Sequence, residues 1–298
     1  MPYVDRAVWR GGGLALAAAV LFGASTPFIQ RWGSGAGAFW IAALLYIGAA
    51  AAGWLLRRSA IREAAPRREH LPRLVVVALL GAALGPSLLA WGLKHTSASS
   101  ASLVLVLEAA FTVLLARLFY AERFGRRVVL ALSLMTIGGS AIVLDGSQGG
   151  ATQLMGLLAV VLATLAWALD NVLSRALADL DPGRVVLGKA GLGAAVTTIL
   201  ALLTGQTPPA MIQALALLIV GAVGYGLSLR FYLLAQRTFG AARTGSVFSF
   251  APFVGSVVSV ALGGEFPGWS VIAGGMLMLT GLVLHLTERR GRRDYSAG

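Results

Sequence analysis

An apolar stretch long enough for a membrane-crossing helix occurs twice in this chain. The first copy, residues 102–124, reads SLVLVLEAAFTVLLARLFYAERF; the second, residues 245–266, reads GSVFSFAPFVGSVVSVALGGEF. Each opens among small residues (Ser99, Ser100 and Ser102; Ser246 and Ser249). Each closes on a carboxylate, Glu122 or Glu265, followed by Arg-Phe or Phe. Aligning the two carboxylates sets Ala109 against Pro252, an offset of 143 in a chain of 298 residues. A repeat of nearly half the chain predicts two copies of one structural unit, residues 1–146 and 147–298.

What surrounds the repeat is equally apolar. With 57% hydrophobic and only 12% charged residues, and a mean hydropathy of +0.80, the sequence belongs in a bilayer rather than in water. Ten runs of spanning length fall near 12–30, 37–56, 73–93, 100–120, 127–144, 154–174, 185–204, 211–235, 244–263 and 269–287. A basic stretch ahead of an apolar run can open a secretory signal, but this run is longer and nine others follow. In a soluble protein the net charge of +12 would point to nucleic acid. Here the position of the charge points elsewhere. If the N-terminus is cytoplasmic, 19 of the 24 basic residues fall in inside segments. Outside there are two, Arg31 and Lys94, and inside spans three, Arg117, Lys189 and Arg230. That asymmetry predicts ten spans with both termini in the cytoplasm and no nucleic-acid partner. The chain has no Cys, which excludes disulfides and thiolate chemistry.

Five spans per unit is an odd number, so the two units must enter the membrane in opposite senses. The fold predicted is all-α: ten transmembrane helices as two inverted five-helix repeats, with a substrate site near the midplane where they meet. The first spans of the units correspond as well. LFGASTPFIQR (21–31) matches AWALDNVLSRA (166–176) at an offset near 145, which aligns Ser25 and Thr26 with Asp170 and Asn171. Together with KHTSASSAS (94–102) and the AERF and GGEF endings, these stretches resemble the drug/metabolite transporter superfamily. The nearest type is the EamA-domain exporters, in particular the YddG-like amino-acid exporters. The resemblance implies a bacterial inner-membrane protein that exports small metabolites, amino acids above all, by alternating access, as a monomer and without a cofactor. Drug export and nucleotide-sugar transport are the alternatives within that superfamily. One position departs from its pattern: the family's usual Pro in the first repeated stretch is Ala109, which puts a matched kink in the two halves in doubt.

Enzymatic motifs fail on inspection. Residues 183–189, GRVVLGK, begin like a phosphate-binding loop, but Ala190 stands where the Ser or Thr that ligates magnesium is needed. The three histidines, His70, His95 and His285, are scattered without HExxH spacing, so no metal site is expected. Neither an intramembrane enzyme, which needs a clustered acid/base set, nor a channel is favoured.

Charges within spans are expensive and therefore informative. Glu108 lies deepest and is read as a cavity residue that contacts an amine or carries a proton, or else as a protonated structural carboxyl. Asp170 and Lys189 lie at one depth on consecutive spans and are predicted to pair as a cytoplasmic gate, with Arg230 as competing partner. The binding cavity is predicted from the polar and aromatic residues of its spans: Ser25, Tyr46, Trp91, Glu108, Trp167, Tyr225, Ser249 and Phe250. The fifth and tenth spans carry few polar groups and are expected at the periphery.

Overall fold

The computed structural model describes residues 6–56, 68–120, 125–174, 177, 180–239 and 241–286. The arginine-rich segment 57–67, Glu122 and Arg123, and the last twelve residues lie outside them. Helices make up nearly all of the described residues, and no strand forms among them. In order they are α1 (Arg6–Trp32), α2 (Ala38–Leu55), α3 (Leu71–Ala78), α4 (Gly85–Leu93), α5 (Ala98–Val104), α6 (Leu107–Tyr120) and α7 (Arg126–Gln148). The second half holds α8 (Ala151–Ser174), α9 (Pro182–Leu203), α10 (Met211–Val220), α11 (Ser228–Phe239), α12 (Ala241–Phe248), α13 (Ala251–Ala261) and α14 (Trp269–Leu286). Eight helical stretches among the described residues are long and apolar enough to cross a membrane; two shorter apolar helices, Ala251–Ala261 and Trp269–Leu284, complete the second half.

Several helices join end to end. A π-helical segment, Leu79–Leu84, links α3 to α4, and another, Gly221–Leu227, links α10 to α11. The two start 142 residues apart, close to the offset of the repeat. A π turn holds one residue more than an α turn and leaves a local mismatch in the hydrogen-bond ladder. The repeated stretch is broken in both copies as well, at Leu105–Val106 between α5 and α6 and at Ser249–Phe250 between α12 and α13. Ala109 therefore does not straighten the first copy. Without a proline, Val106, Glu108 and Ala109 donate to carbonyls three residues back, and the turn is fully enclosed, with Leu105 and Val106 both buried. Packing supplies at this turn what Pro252 supplies in the second copy.

Helix packing repeats with the sequence. α1 lies on α11 as α8 lies on α4, and α1 on α13 as α8 on α6. α2 packs against α10 and the second π segment as α9 packs against α3 and the first. The pairs α2–α9 and α7–α14 map onto themselves when the halves are exchanged. α14 packs chiefly on α7, where Gly138 and Gly274 each face the other's carbonyl. Close approach of this kind is how helices associate in lipid, where burying apolar surface gives no net drive.

One end of the bundle is tied by side chains that grip main chain. Gln30 Nε2 donates to the carbonyls of Leu93 (2.9 Å) and Thr96 (2.7 Å), and its Oε1 accepts from the Ala98 amide (3.2 Å). Lys94 Nζ donates to the Ala36 carbonyl at 3.0 Å. Gln206 accepts from the Phe39 amide (2.9 Å), and its carbonyl accepts from Trp40 Nε1 (3.0 Å).

Candidate functional site

The candidate site begins with a proline. Within the first π segment, Gly85 N–H reaches back five residues to the Leu80 carbonyl. In that register the Gly81 carbonyl would look to residue 86, which is Pro86 and has no N–H to give. Its lone pairs are filled from two other helices instead: Tyr46 Oη of α2 donates at 2.7 Å and Trp167 Nε1 of α8 at 2.9 Å. Gly85, one turn on, leaves the space in which the indole lies against the backbone. Tyr46→Phe should lower stability by about 1 kcal/mol, the usual net value of one such bond. Tyr46→Phe with Trp167→Phe should cost more than twice as much, because the carbonyl is then buried without a donor. Thermal melts in detergent would measure both.

One turn along α8 from Trp167, Asp170 is buried, only 3% exposed. Its Oδ2 is paired with Lys189 Nζ of α9, and its Oδ1 accepts from Ser174 Oγ at 3.1 Å. The pair lies directly over Gly81, where a β-carbon would strike both Asp170 Oδ2 and Lys189 Nζ. Three helices and a π segment thus meet at one glycine. Arg230 is not part of this meeting: its Nη1 donates to the Leu56 carbonyl at the end of α2.

Asn171 follows Asp170, and its Nδ2 donates to Glu108 Oε1 of α6 at 2.7 Å. The outward stripe of α8 is marked by Met155 (54% exposed), Leu158 (39%) and Leu162 (52%). At about 100° per residue Asn171 stands roughly 180° from that stripe, yet it too is exposed. That side chain lies beside Glu108, on the face opposite the outward stripe.

An aromatic chain runs from here across the bundle. Tyr46 meets Tyr225 at 5.6 Å between centroids, Tyr225 meets Phe22 at 5.4 Å, Phe22 meets Phe248 at 5.3 Å, and Phe248 meets Tyr232 at 5.0 Å. Such spacings suit edge-to-face and tilted pairs. The Tyr225 hydroxyl is buried beside Ser25, whose own proton is given to the Phe22 carbonyl at 2.6 Å.

Of the residues expected to line a cavity, the fold brings together Ser25, Tyr46, Glu108, Trp167 and Tyr225, with Asp170 and Lys189. Trp91 lies elsewhere, half-exposed near the end of α4 and stacked on His95 at 4.2 Å. Ser249 and Phe250 occupy the break before α13, where Ser249 Oγ bonds the Gly245 carbonyl (2.8 Å) and Phe250 faces Phe253 (6.4 Å). Sequence reasoning missed Phe22, Phe248, Tyr232 and Gly81 as members of the site, and gave Asn171 no role in it. Only Asn171, a polar residue inside an apolar run next to an Asp, carried a signal that could have been used.

Comparison with known proteins agrees with this architecture. A crystal structure 19% identical in sequence superposes with a TM-score of 0.67, covering 92% of this chain and 96% of the other, and so shares its fold. An uncharacterized transporter of Methanothermobacter thermautotrophicus (strain Delta H) is 27% identical over 236 residues, 77% of this chain and 68% of its own length. The uncharacterized transporter YyaM of Bacillus subtilis (strain 168) is 24% identical, over 72% of this chain and 73% of its own. Residues 9–144 and 154–287 each match the EamA-like transporter family. The two matches cover most of the chain, which therefore belongs to the EamA-like transporter family.

Proposed function

We propose that this protein exports a small metabolite, an amino acid with an apolar or aromatic side chain, across a bacterial inner membrane. The observation that carries the reading is the junction at Gly81, where buried charges adjoin a chain of aromatic rings. The rings offer apolar surface to a side chain, and Glu108, Asn171 and the Tyr225 hydroxyl offer polar contacts to a head group. An interior that is mostly apolar with a few convergent polar groups suits a small solute. Transport proceeds by alternating access in a monomer, with Asp170 and Lys189 as the gate on the cytoplasmic side and the two units, 1–146 and 147–298, as inverted halves of ten spans. The exchange symmetry of the helix packing supports two equivalent halves; the odd number of spans in each supports their inversion. Uptake of radiolabelled amino acids into proteoliposomes, taken through a panel of aromatic, aliphatic and charged members, tests the reading. Saturable uptake of aromatic or neutral members is expected, and transport confined to drugs or nucleotide sugars would replace it.

The arginine asymmetry places both termini and the 57–73 segment inside, with residues 145–153 outside. A chain without Cys makes that testable with single replacements. An impermeant maleimide applied to intact cells should label Gln148→Cys and spare Arg67→Cys; the opposite pattern would invert the orientation.

A further inference from the structure

Exchanging the halves reproduces the packing along the middle of the bundle but not at its ends. Near the end tied by Gln30 and Lys94, α5 packs on α1 and α13, and α4 on α1 and α2. Exchange turns these pairs into α12–α8, α12–α6, α11–α8 and α11–α9, which belong to the opposite end. Among the described residues none of those is closely packed. Halves of one plan can take up different conformations, and here one end is shut while the other stands apart. In the orientation proposed above, the shut end faces outward and the parted end faces the cytoplasm.

The shut end is held where α5 crosses α13. Ser99 Oγ and Ser256 Oγ, both buried, share a hydrogen bond at 2.7 Å. One turn along α5, the fully buried Ser102 is pressed on Gly255. A β-carbon at Gly255 would lie 2.6 Å from Ser102 Oγ and 2.7 Å from the Gly23 carbonyl oxygen. Only a glycine lets α1, α5 and α13 come this close. The offset of 143 carries Ser102 to Gly245 and Gly255 to Thr112, so the second crossing again holds one hydroxyl and one glycine, with the halves reversed. There the two are apart. The Thr112 hydroxyl is buried without a hydrogen-bond partner among the described residues. A β-carbon at Gly245 would meet, among those residues, only Tyr232 Oη, at 3.8 Å.

We propose that Thr112 seats on Gly245 to shut the cytoplasmic end, in the conformation in which Ser102 has left Gly255. The proposal rests on the transport reading above and adds the contact that closes this end. The breaks in the two repeated stretches make the exchange mechanically simple. Leu105–Val106 separates Ser102 from Thr112, and Ser249–Phe250 separates Gly245 from Gly255. Each stretch can therefore release one crossing and make the other by bending at its own break, without moving as a rigid rod. Asp170 and Lys189, paired in the present conformation, hold α8 to α9 and do not bridge α6 to α12. The two closures are not equal. Ser99 and Ser256 correspond to Ala242 and Val113, so the bond between the two serines has no counterpart at the cytoplasmic crossing. That bond favours the conformation shut on the outer side.

Paired cysteines in this Cys-free chain test it, in purified protein reconstituted into liposomes and oxidised with copper phenanthroline. A bridge within one chain is read at monomer mobility as lost labelling by a maleimide-linked polyethylene glycol. Ser99→Cys/Ser256→Cys spans the outer crossing and should bridge readily, its side chains being already in contact. Val113→Cys/Ala242→Cys spans the equivalent cytoplasmic positions and should bridge as well, because the closed conformation is visited and trapped. Gly245→Leu should slow the Val113→Cys/Ala242→Cys bridge by about tenfold or more. It should leave the outer bridge intact and the thermal melt near that of the wild type, since the present conformation has room at Gly245. Failure of Val113→Cys/Ala242→Cys to bridge where the outer pair does overturns the proposal. So does a bridge that Gly245→Leu leaves unslowed. Neither bridge needs a solute, which separates this result from the transport reading. Amino-acid uptake without the cytoplasmic bridge leaves the exporter standing and removes the closure. Bridging as expected, with no amino-acid uptake, keeps the closure and removes amino acids as the solute.

Discussion

Asp170→Asn and Lys189→Gln, each made alone, should abolish transport and cost the fold about 3–5 kcal/mol, because each strands the opposite charge in a buried place. The double variant Asp170→Asn/Lys189→Gln should recover most of that stability, since two neutral groups of similar shape can share the same space. Transport should not return with it if opening and closing depend on making and breaking the ion pair. Uptake by proteoliposomes and melting in detergent, measured on the same preparations, separate the two effects. Normal transport in both single variants would remove the pair from the mechanism. Arg230→Gln should leave Asp170 undisturbed, because Arg230 is bonded to the Leu56 carbonyl; a defect matching that of Asp170→Asn would make Arg230 the functional partner.

Gly81→Ala should be nearly as damaging as losing a charge. Its β-carbon would overlap Asp170 Oδ2 and lie 2.8 Å from Lys189 Nζ. Neither group can retreat far: Asp170 is fixed by Ser174 as well as by Lys189, and the Gly81 carbonyl is held by Tyr46 and Trp167. Separating the pair or moving the π segment are the two ways out, and either disturbs all the helices that meet there. Overpacking a core costs typically about 1–3 kcal/mol, and here broken charge contacts are added to it. Gly191→Ala is the control, an exposed helical glycine with nothing within 4 Å of a new β-carbon. It should melt at or slightly above the wild-type temperature and transport normally.

The architecture was legible because its causes act over long stretches. Apolar runs and the placement of arginines depend on many residues at once, so a duplicated all-helical membrane protein could be read directly. The Asp170–Lys189 pair was legible for a different reason: buried charges are so costly that two at the same depth on consecutive helices have few alternatives. What escaped was local. The π segment at Leu79–Leu84 depends on Pro86 withholding one donor and on Tyr46 and Trp167 arriving from helices far away in sequence, and no periodicity announces that. The break at Leu105–Val106 is held by enclosure rather than by a proline, so a reading built on Ala109 doubted it. Trp91 and Phe22 show the limit for aromatics. Each is an aromatic residue in an apolar helix, and only the packed bundle decides that Phe22 joins the interior chain while Trp91 stacks on His95.

The exchange of halves that relates the helix contacts has a use beyond describing the fold. Gly81 lies against Asp170, and at the equivalent crossing Gly224 lies against Ser25. The offsets, 143 and 145, also set Thr26 against Asn171 and Leu44 against Lys189. Duplication thus left two crossings built alike, one holding an ion pair and the other none. The second is an internal reference against which the first can be measured in the same molecule, under the same lipid and at the same temperature. Ser25→Asp and Leu44→Lys, alone and together, form a thermodynamic cycle whose coupling term reports what such a pair contributes at a crossing that has never held one. Set beside the cycle on Asp170 and Lys189, it separates the energy of the interaction from the later divergence of the surroundings that now depend on it.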